Sequence, residues 1–242
     1  MSTVLASTVG SPYSGKCRRV DAAVPVSCLH PHTSGALVSH TYAGLHACPP
    51  VQRGATVWLT GLPSAGKSTI ADGCEAVLRG HGLRVEVLDG DAVRPHLAAA
   101  RGYSRDDRAI NIRRIGWVAE LLARNGVLVL VSAIAPFRDV RNQVRDAHEA
   151  NGTLYLEVHV STPVEVASER DVKGLYARQR DGEISGLTGV DDPYEEPVAP
   201  DLVIATHEHP VEESVALLLE HLTARGLTGP PAPAAEPSAE YA

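Results

Sequence analysis

The chain has 242 residues, a hydrophobic fraction of 44% and a formal net charge of −7, with an isoelectric point near 5.9. This acidic balance argues against a general nucleic-acid binder, because no excess of basic side chains is available to neutralise phosphates. No apolar run approaches the roughly eighteen residues of a membrane span, and no basic start followed by an apolar core opens the chain. We therefore expect a cytoplasmic protein, with its four cysteines as free thiols.

Residues 1–52 differ in composition from the rest of the chain. They are rich in Ser, Thr, Gly, Pro and His and show no sustained periodicity, which predicts a disordered extension. Their Cys and His residues fit no compact zinc pattern, so we expect no metal site there. A domain that begins near Val51 would be complete without this extension.

The first predicted strand, residues 55–60, runs into a glycine-rich loop. The loop is Gly61-Leu62-Pro63-Ser64-Ala65-Gly66-Lys67-Ser68-Thr69, and it matches the phosphate-loop pattern G-x-x-x-x-G-K-[ST] at every defined position. A predicted helix, residues 70–78, follows and places a helix N-terminus at the loop. In this context Lys67 would reach the β- and γ-phosphates and the Ser68 hydroxyl would ligate Mg²⁺. The sequence therefore predicts a site for a nucleoside triphosphate.

Strands and helices alternate along the rest of the chain, and two segments break the alternation. The further predicted strands are 85–88, 127–131, 154–160 and 202–205, and the further helices are 92–100, 105–125, 137–150, one that starts at an N-cap Thr162, and 211–225. This order predicts an α/β fold, a parallel five-stranded sheet of the nucleotide-kinase type with helices on both faces, over residues 53–225. The polar, glycine-containing segment 173–197 predicts a mobile lid, and the Pro- and Ala-rich residues 226–242 predict a disordered tail.

Three predicted loops follow strands and should meet at one edge of the sheet, where ligands bind. They are the phosphate loop, the turn Asp89-Gly90-Asp91 and the segment 132–138. The predicted lid carries Arg178 and Arg180, with Arg170 just before it. A lid that excludes water, and arginines that stabilise the charge of a transferring phosphoryl group, are typical of small-molecule kinases. The residues thus favour a kinase with a small acceptor.

With these motifs the chain resembles the adenylylsulfate kinase (APS kinase) family from about Ala55 to Ile204. The motifs that carry the resemblance, besides the phosphate loop, are Asp89-Gly90-Asp91-x-x-Arg94, Gly102-Tyr103-Ser104-x-x-Asp107-Arg108-x-x-Asn111-Ile112-Arg113-Arg114-Ile115-Gly116, Ile134-x-Pro136-Phe137-Arg138, Arg170-Asp171-x-Lys173-Gly174-Leu175-Tyr176 and Gly189-Val190-Asp191-Asp192-Pro193-Tyr194-Glu195. The resemblance implies Mg²⁺- and ATP-dependent phosphorylation of the ribose 3′-hydroxyl of adenosine 5′-phosphosulfate (APS) to 3′-phosphoadenosine 5′-phosphosulfate (PAPS). Such a product serves sulfate assimilation or sulfation.

The resemblance also implies roles for individual residues. Asp89 and Asp91 would lie between the γ-phosphate and the acceptor hydroxyl and form the catalytic set together with Lys67. Arg94 and Arg108 would grip the phosphosulfate through their planar guanidinium groups. The other residues expected at the substrates are Tyr103, Asn111, Ile134, Lys173 and Leu187 for APS, and Arg170 with the phosphate loop for ATP.

Two positions depart from the family pattern. Leu187 stands where phenylalanine is usual, so apolar contact with the APS adenine would remain while the flat stacking face is lost. Ala135 stands where many members carry serine, the residue proposed as a phosphoryl acceptor in some of them. Since neither Ser132 nor Ser64 is an obvious substitute, we expect direct transfer to the acceptor hydroxyl.

Two other functions stay open at this point. One is a different small-molecule kinase on the same scaffold, acting on a nucleoside monophosphate or a sugar acid. The other is a non-catalytic nucleotide-sensing module, which loss of Lys67 or of the aspartates would signal; all three are present. The resemblance also implies a homodimer and a functional link to ATP sulfurylase, while the acidic charge and the lack of long apolar runs predict no nucleic-acid or membrane partners.

Overall fold

The computed structural model describes residues 52–98 and 102–228, and most of the predicted extension and tail lie outside them. The strands are β1 (Ala55–Thr60), β2 (Val85–Asp89), β3 (Leu128–Ser132), β4 (Leu154–Val160) and β5 (Leu202–Ile204). The helices are α1 (Lys67–Gly80), α2 (Gly90–Leu97), α3 (Arg105–Arg124), α4 (Arg138–Ala150), α5 (Val164–Arg170), α6 (Leu175–Arg180) and α7 (Val211–Ala224).

The five strands form one parallel sheet in the order β2-β3-β1-β4-β5. Strand β1 lies at the centre, and all six of its residues are buried. Its side chains alternate between two cores: Val57 and Leu59 pack on the face covered by α1 and α7, while Trp58 packs on the face covered by α3 and α4. Period-two alternation of this kind is what a strand covered on both faces requires. The predicted parallel sheet with helices on both faces is therefore confirmed.

Helix α3 approaches α4 closely because of a glycine. A Cβ at Gly116 would lie 2.7 Å from a methyl carbon of Val144, so any larger residue would push the two helices apart. This contact fixes α3, which carries several of the predicted site residues, against the rest of the domain.

The predicted element bounds agree closely in the sheet and less well at helix starts. Strands β1 and β4 have the predicted bounds, whereas α1 begins three residues earlier, at Lys67, and α2 two residues earlier, at Gly90. Helix α3 is capped by Ser104, whose hydroxyl accepts a hydrogen bond from the Asp107 N–H at 3.2 Å. The predicted cap of α5 is wrong. Thr162 instead donates to the Ala65 carbonyl at 3.2 Å, and Pro163 precedes the first turn.

The segment predicted as a lid has more structure than its composition suggested. It contains α6, and Tyr176 and Leu187 are buried in a small cluster with Ala167. The Tyr176 hydroxyl also donates to the Pro63 carbonyl of the phosphate loop at 3.1 Å. This segment therefore contributes buried residues, while its mobility stays a prediction.

Two further expectations can be compared with the described residues. Cys74 is buried in α1 as a free thiol, and burial raises its pKa to about 12, which makes it chemically inert. The other three cysteines lie outside the described residues. No helix in the described part of the chain has the length and apolar character needed to cross a membrane.

Candidate active site

A cavity of about 550 Å³ opens at the carboxyl edge of the sheet. The phosphate loop lies at its centre, because it follows the central strand β1. The predicted site residues that line it are Pro63, Ser64, Gly66, Lys67, Ser68, Thr69, Asp89, Asp91, Arg94, Tyr103, Arg108, Asn111, Ile134, Arg170 and Lys173. Four other predicted site residues are not part of this lining: Gly61, Leu62, Ala65 and Leu187.

The glycines of the phosphate loop are required by its backbone. Gly66 has φ +101° and precedes α1 as its N-cap. A Cβ at Gly61 would lie 2.4 Å from the Val160 carbonyl oxygen of the neighbouring strand. Only residues without a side chain fit at these two points, so the loop can curl with its N–H groups toward a phosphate.

Lys67 is buried in the loop, with 8% of its surface exposed. Its ammonium group donates to the carbonyls of Gly61 at 3.0 Å and Leu62 at 2.7 Å. Burial lowers its pKa to about 8, with a contribution from the charge of Lys173, and the carboxylates of Asp91 and Asp89 counteract this in part. The site therefore holds a desolvated cation that would gain from a phosphate ligand.

Ser68 and Asp89 form a pair of oxygen groups beside Lys67. The Ser68 hydroxyl donates to Asp89 Oδ2 at 2.6 Å, and the Ser132 hydroxyl lies 3.0 Å from the Ser68 oxygen. Asp89 also caps α2, accepting at Oδ1 from the N–H groups of Asp91 and Ala92 at 2.9 and 3.2 Å. Burial acts to raise the pKa of Asp89, but these hydrogen bonds from Ser68 and the backbone, with the charge of Lys173, hold it below its usual value. Asp89 is thus an ionised carboxylate, fixed in orientation.

The α2 and α3 side of the cavity carries the predicted guanidinium groups. The Arg94 guanidinium stacks on the Tyr103 ring, 4.1 Å from its centroid. Arg108 donates to the Tyr103 carbonyl at 2.8 Å, to the Thr188 hydroxyl at 2.6 Å and to the Gly186 carbonyl. Arg108 therefore joins α3 to the predicted lid, a contact that no sequence pattern suggested.

Asn111 lies one helical turn beyond Arg108, and both line the cavity as predicted. Its side chain is 6% exposed, and its Oδ1 atom has no hydrogen-bond partner within the described chain. A buried amide oxygen without a partner costs free energy. Its place in the cavity wall makes it a ready acceptor for a ligand donor.

A second contact joins the predicted lid to the β2–α2 turn. The Lys173 ammonium forms an ion pair with Asp91, and this hydrogen bond raises the pKa of Lys173. Both side chains are more than half exposed, so the pair is screened by solvent and can open at little cost.

The other side of the cavity, toward β5 and α7, was largely missed by the sequence reasoning. Arg170 donates to the hydroxyl and the carbonyl of Thr206 at 2.9 and 2.7 Å, and Thr206 donates to the Ala65 carbonyl at 2.8 Å. The other wall residues there are His209, Pro210, Val211 and Ser214. Since Thr206 follows strand β5 closely, the rule that ligands bind at strand ends could have indicated it.

Three predicted residues lie elsewhere. Arg178 and Arg180 do not line the cavity, and Arg178 pairs with Glu183 at 3.1 Å on an exposed surface. Leu187 packs with Ala167 and Tyr176 instead of forming part of the cavity wall. In this structure the candidate charge-stabilising arginines are therefore Arg94, Arg108 and Arg170.

The phosphate loop, the fixed aspartate beside it and a cavity that extends to both sides define a P-loop kinase for a small acceptor. The family model for adenylylsulphate kinase matches residues 53–205, more than half of the chain. The chain belongs to the adenylylsulfate kinase family.

Similar proteins with this family's name support this membership. The adenylyl-sulfate kinase of Rippkaea orientalis is 50% identical over 182 residues, which cover 74% of this chain and 97% of the relative. The probable adenylyl-sulfate kinase of a Synechocystis species is 53% identical over 171 residues, covering 71% and 94%. The structure of the Mycobacterium tuberculosis APS kinase in complex with AMPPNP and APS is similar with a TM-score of 0.69 and 43% identity, covering 71% of this chain and 99% of that one.

Proposed function

We propose that this chain transfers the γ-phosphoryl group of ATP to the 3′-hydroxyl of APS, giving PAPS for sulfate activation. The observation that carries the proposal is the cavity itself, in which one phosphate loop separates two regions of different chemistry. The side toward β5 has Arg170 and a short apolar wall, and the α3 side has two guanidinium groups and the Asn111 amide oxygen, which has no hydrogen-bond partner in the described chain. The similar M. tuberculosis enzyme holds an ATP analogue and APS together, which agrees with one substrate on each side.

ATP is proposed to bind through the phosphate loop and the β5 side. Its phosphates would accept from the loop N–H groups and from Lys67, whose present partners are two carbonyls of the same loop. Arg170 is held in place by Thr206, and its planar group offers one wall for the base. Val211 and Pro210 lie in the same part of the cavity.

Mg²⁺ fits the oxygen groups present at this site. Ser68 and Asp89 are adjacent, oriented and oxygen-bearing, and Mg²⁺ uses few protein ligands together with substrate phosphates and waters. When bound, the ion would neutralise charge on the transferring phosphates.

APS is proposed to bind on the α3 side. Arg94 and Arg108 would contact the phosphosulfate, and the Asn111 amide would satisfy its Oδ1 atom on a nucleotide donor. Asp91 is engaged by Lys173, so binding would replace or extend that ion pair. Tyr103, which already stacks on Arg94, and Ile134 would form apolar contacts with the nucleotide.

Asp89 and Asp91 would orient the acceptor hydroxyl. They would not remove its proton before the phosphoryl group is transferred. The lowered pKa of Asp89 makes it a weak base, so its part in the reaction is to hold the hydroxyl in line with the leaving oxygen. Transfer is then direct. Ala135 lines the cavity with a methyl group, which cannot accept a phosphoryl group. The Ser132 hydroxyl is already hydrogen-bonded to the Ser68 hydroxyl at 3.0 Å.

The test is ATP consumption measured against APS, AMP and gluconate in parallel. Of the three acceptors, we expect only APS to be phosphorylated, with PAPS identified as the product. Turnover with AMP or gluconate but not APS would establish a different small-molecule kinase, and ATP binding without any turnover would establish a nucleotide-sensing module. The homodimer and the link to ATP sulfurylase are further predictions that the family implies, and the lid motion and the cytoplasmic location are further predictions from the composition of the sequence.

A further inference from the structure

Arg141 on α4 is a buried charge outside the cavity. Its side chain is 1% exposed, and its Nε donates to Glu157 Oε1 on β4 at 2.6 Å. Its Nη1 donates to the Ala135 carbonyl and its Nη2 to the Glu195 carbonyl, each at 2.7 Å. One side chain thus ties together a strand of the sheet, a loop of the cavity and the end of the predicted lid.

The two carbonyls belong to segments that matter for the α3 side of the cavity. Ala135 lies between Ile134 and Pro136, and all three line the cavity. Ala135 has φ +46°, a left-handed conformation that is strained for an alanine. Such a conformation persists when neighbouring groups hold it, and Arg141 bonds directly to the carbonyl of this residue.

Further hydrogen bonds join the same two segments. The Glu195 N–H donates to the Pro136 carbonyl at 2.9 Å, and the Glu195 carboxylate accepts from the Arg138 N–H at 2.8 Å. On the other side, the Thr60 hydroxyl donates to the Ile134 carbonyl. The cavity loop 134–136 is therefore held at each of its carbonyls, and Arg141 alone among the described side chains bonds to both this loop and the Glu195 carbonyl.

We infer that Arg141 is a positioning residue for the acceptor subsite: it fixes the cavity loop 134–136 and the end of the predicted lid relative to each other, and so sets the affinity for APS without touching it. The inference rests on the proposed function, since it assigns the α3 side of the cavity to APS. The ATP side is proposed to consist of the phosphate loop and residues near β5, α5 and α7, and the hydrogen bonds of Arg141 go to Glu157, Ala135 and Glu195 instead.

Arginine suits this position in a way that lysine does not. A planar fork reaches a carboxylate and two carbonyls in three directions at once, whereas an ammonium group on a flexible stem would keep the charge beside Glu157 and lose at least one carbonyl. Glu157 also lies 3.6 Å from Arg145, which shares the carboxylate and bonds to Asp201 at 3.2 Å. Within the described chain Arg145 makes no hydrogen bond to the cavity loop, so it provides a control within the same network.

The test compares Arg141→Lys with Arg145→Met in steady-state kinetics below the melting temperature of both. For Arg141→Lys we expect KM for APS to rise by about 10- to 100-fold, since a misplacement of about 1 Å can cost up to about 100-fold, with KM for ATP changed less than about twofold. Arg145→Met should leave both values near those of the unmodified chain. A second variant, Glu195→Ala, removes the carboxylate that accepts from the Arg138 N–H. Glu195 is partly exposed, and this variant should raise KM for APS severalfold.

Amide hydrogen exchange supplies a readout that overall destabilisation would not reproduce. In Arg141→Lys the Arg138 and Glu195 amides should exchange faster, while the Asp201 amide, which donates to the Glu157 carbonyl at 2.8 Å, should not. The inference is overturned by equal changes in both KM values, by an Arg145→Met effect as selective as that of Arg141→Lys, or by uniform faster exchange. If the unmodified chain does not phosphorylate APS, the proposed function fails instead, and the exchange pattern still tests whether Arg141 holds the two segments.

Discussion

The buried ammonium group of Lys67 should couple ATP binding to proton uptake. Burial lowers its pKa to about 8 from the usual 10.5, so above pH 8 most of the chains without nucleotide would carry a neutral Lys67. Triphosphate oxygens beside the nitrogen favour the charged form and would raise this pKa again. ATP binding above pH 8 should therefore take up a proton, and ATP affinity should fall as the pH rises.

The magnitude follows from the size of the shift. The pKa falls from 10.5 to about 8. At 1.36 kcal/mol per pKa unit, the folded chain therefore disfavours the charged form of Lys67 by about 3 kcal/mol. The neutral fraction would be about one tenth at pH 7 and about nine tenths at pH 9. Because the folded-state pKa lies below the unfolded value, the unfolded chain binds more protons between pH 8 and 10.5. In that window this group makes the free energy of unfolding rise with pH.

The assay is calorimetric titration of ATP at pH 7 and pH 9 in buffers of different ionisation enthalpy. We expect uptake close to one proton at pH 9 and close to none at pH 7, with the dissociation constant rising about tenfold per pH unit above 8. Lys67→Met, which cannot be protonated, should show no uptake and a flat dependence. An affinity that does not change between pH 7.5 and 9.5, or uptake that persists in Lys67→Met, would refute the reasoning.

Three further predictions concern the loop, the acceptor side and the reaction path. Gly61→Ala sets a methyl group against a fixed backbone carbonyl and should lower the free energy of unfolding in urea by at least about 2 kcal/mol, whereas Gly82→Ala, with no atoms nearby, should cost about 1 kcal/mol. Arg108→Ala should weaken APS binding about 10- to 100-fold and leave ATP binding nearly unchanged by calorimetry. Arg113→Ala, on the exposed side of the same helix, should alter neither, and equal losses for both ligands would count against the assignment. Since Ala135 offers no nucleophile, γ-labelled ATP without APS should leave no stable label on the chain; a label that chases into product would disprove direct transfer.

The residues that sequence reasoning found are those whose role depends on a short stretch of chain. The phosphate-loop pattern consists of glycines and one lysine at fixed spacing. In the structure these residues form a loop around Lys67. The proximity of Asp89 to this loop could also be predicted, because both follow parallel strands. The hydrogen bond from Ser68 to Asp89 shows this proximity in the structure.

Arg141 shows why other residues could not be found. It lies in a helix with charged residues throughout, and such a pattern is typical of a solvent-exposed surface. Its burial follows from the packing of α4 on β4, where Glu157 compensates the charge. Leu187 was expected at a substrate because of its place in a motif, yet it packs on Ala167 and Tyr176. In both cases the neighbours that decide the outcome lie in other elements of the fold.

The sequence by itself determined the sheet, the phosphate loop and the family, because strand and helix periodicity and local backbone requirements are written in adjacent residues. The tertiary structure alone decided the partners of the charged side chains. Arg108 bonds to Thr188, 80 positions away, and Lys173 pairs with Asp91, 82 positions away. A guanidinium or ammonium group can pair with any carboxylate or carbonyl within reach. Which one it meets depends on how the helices and loops pack at the edge of the sheet.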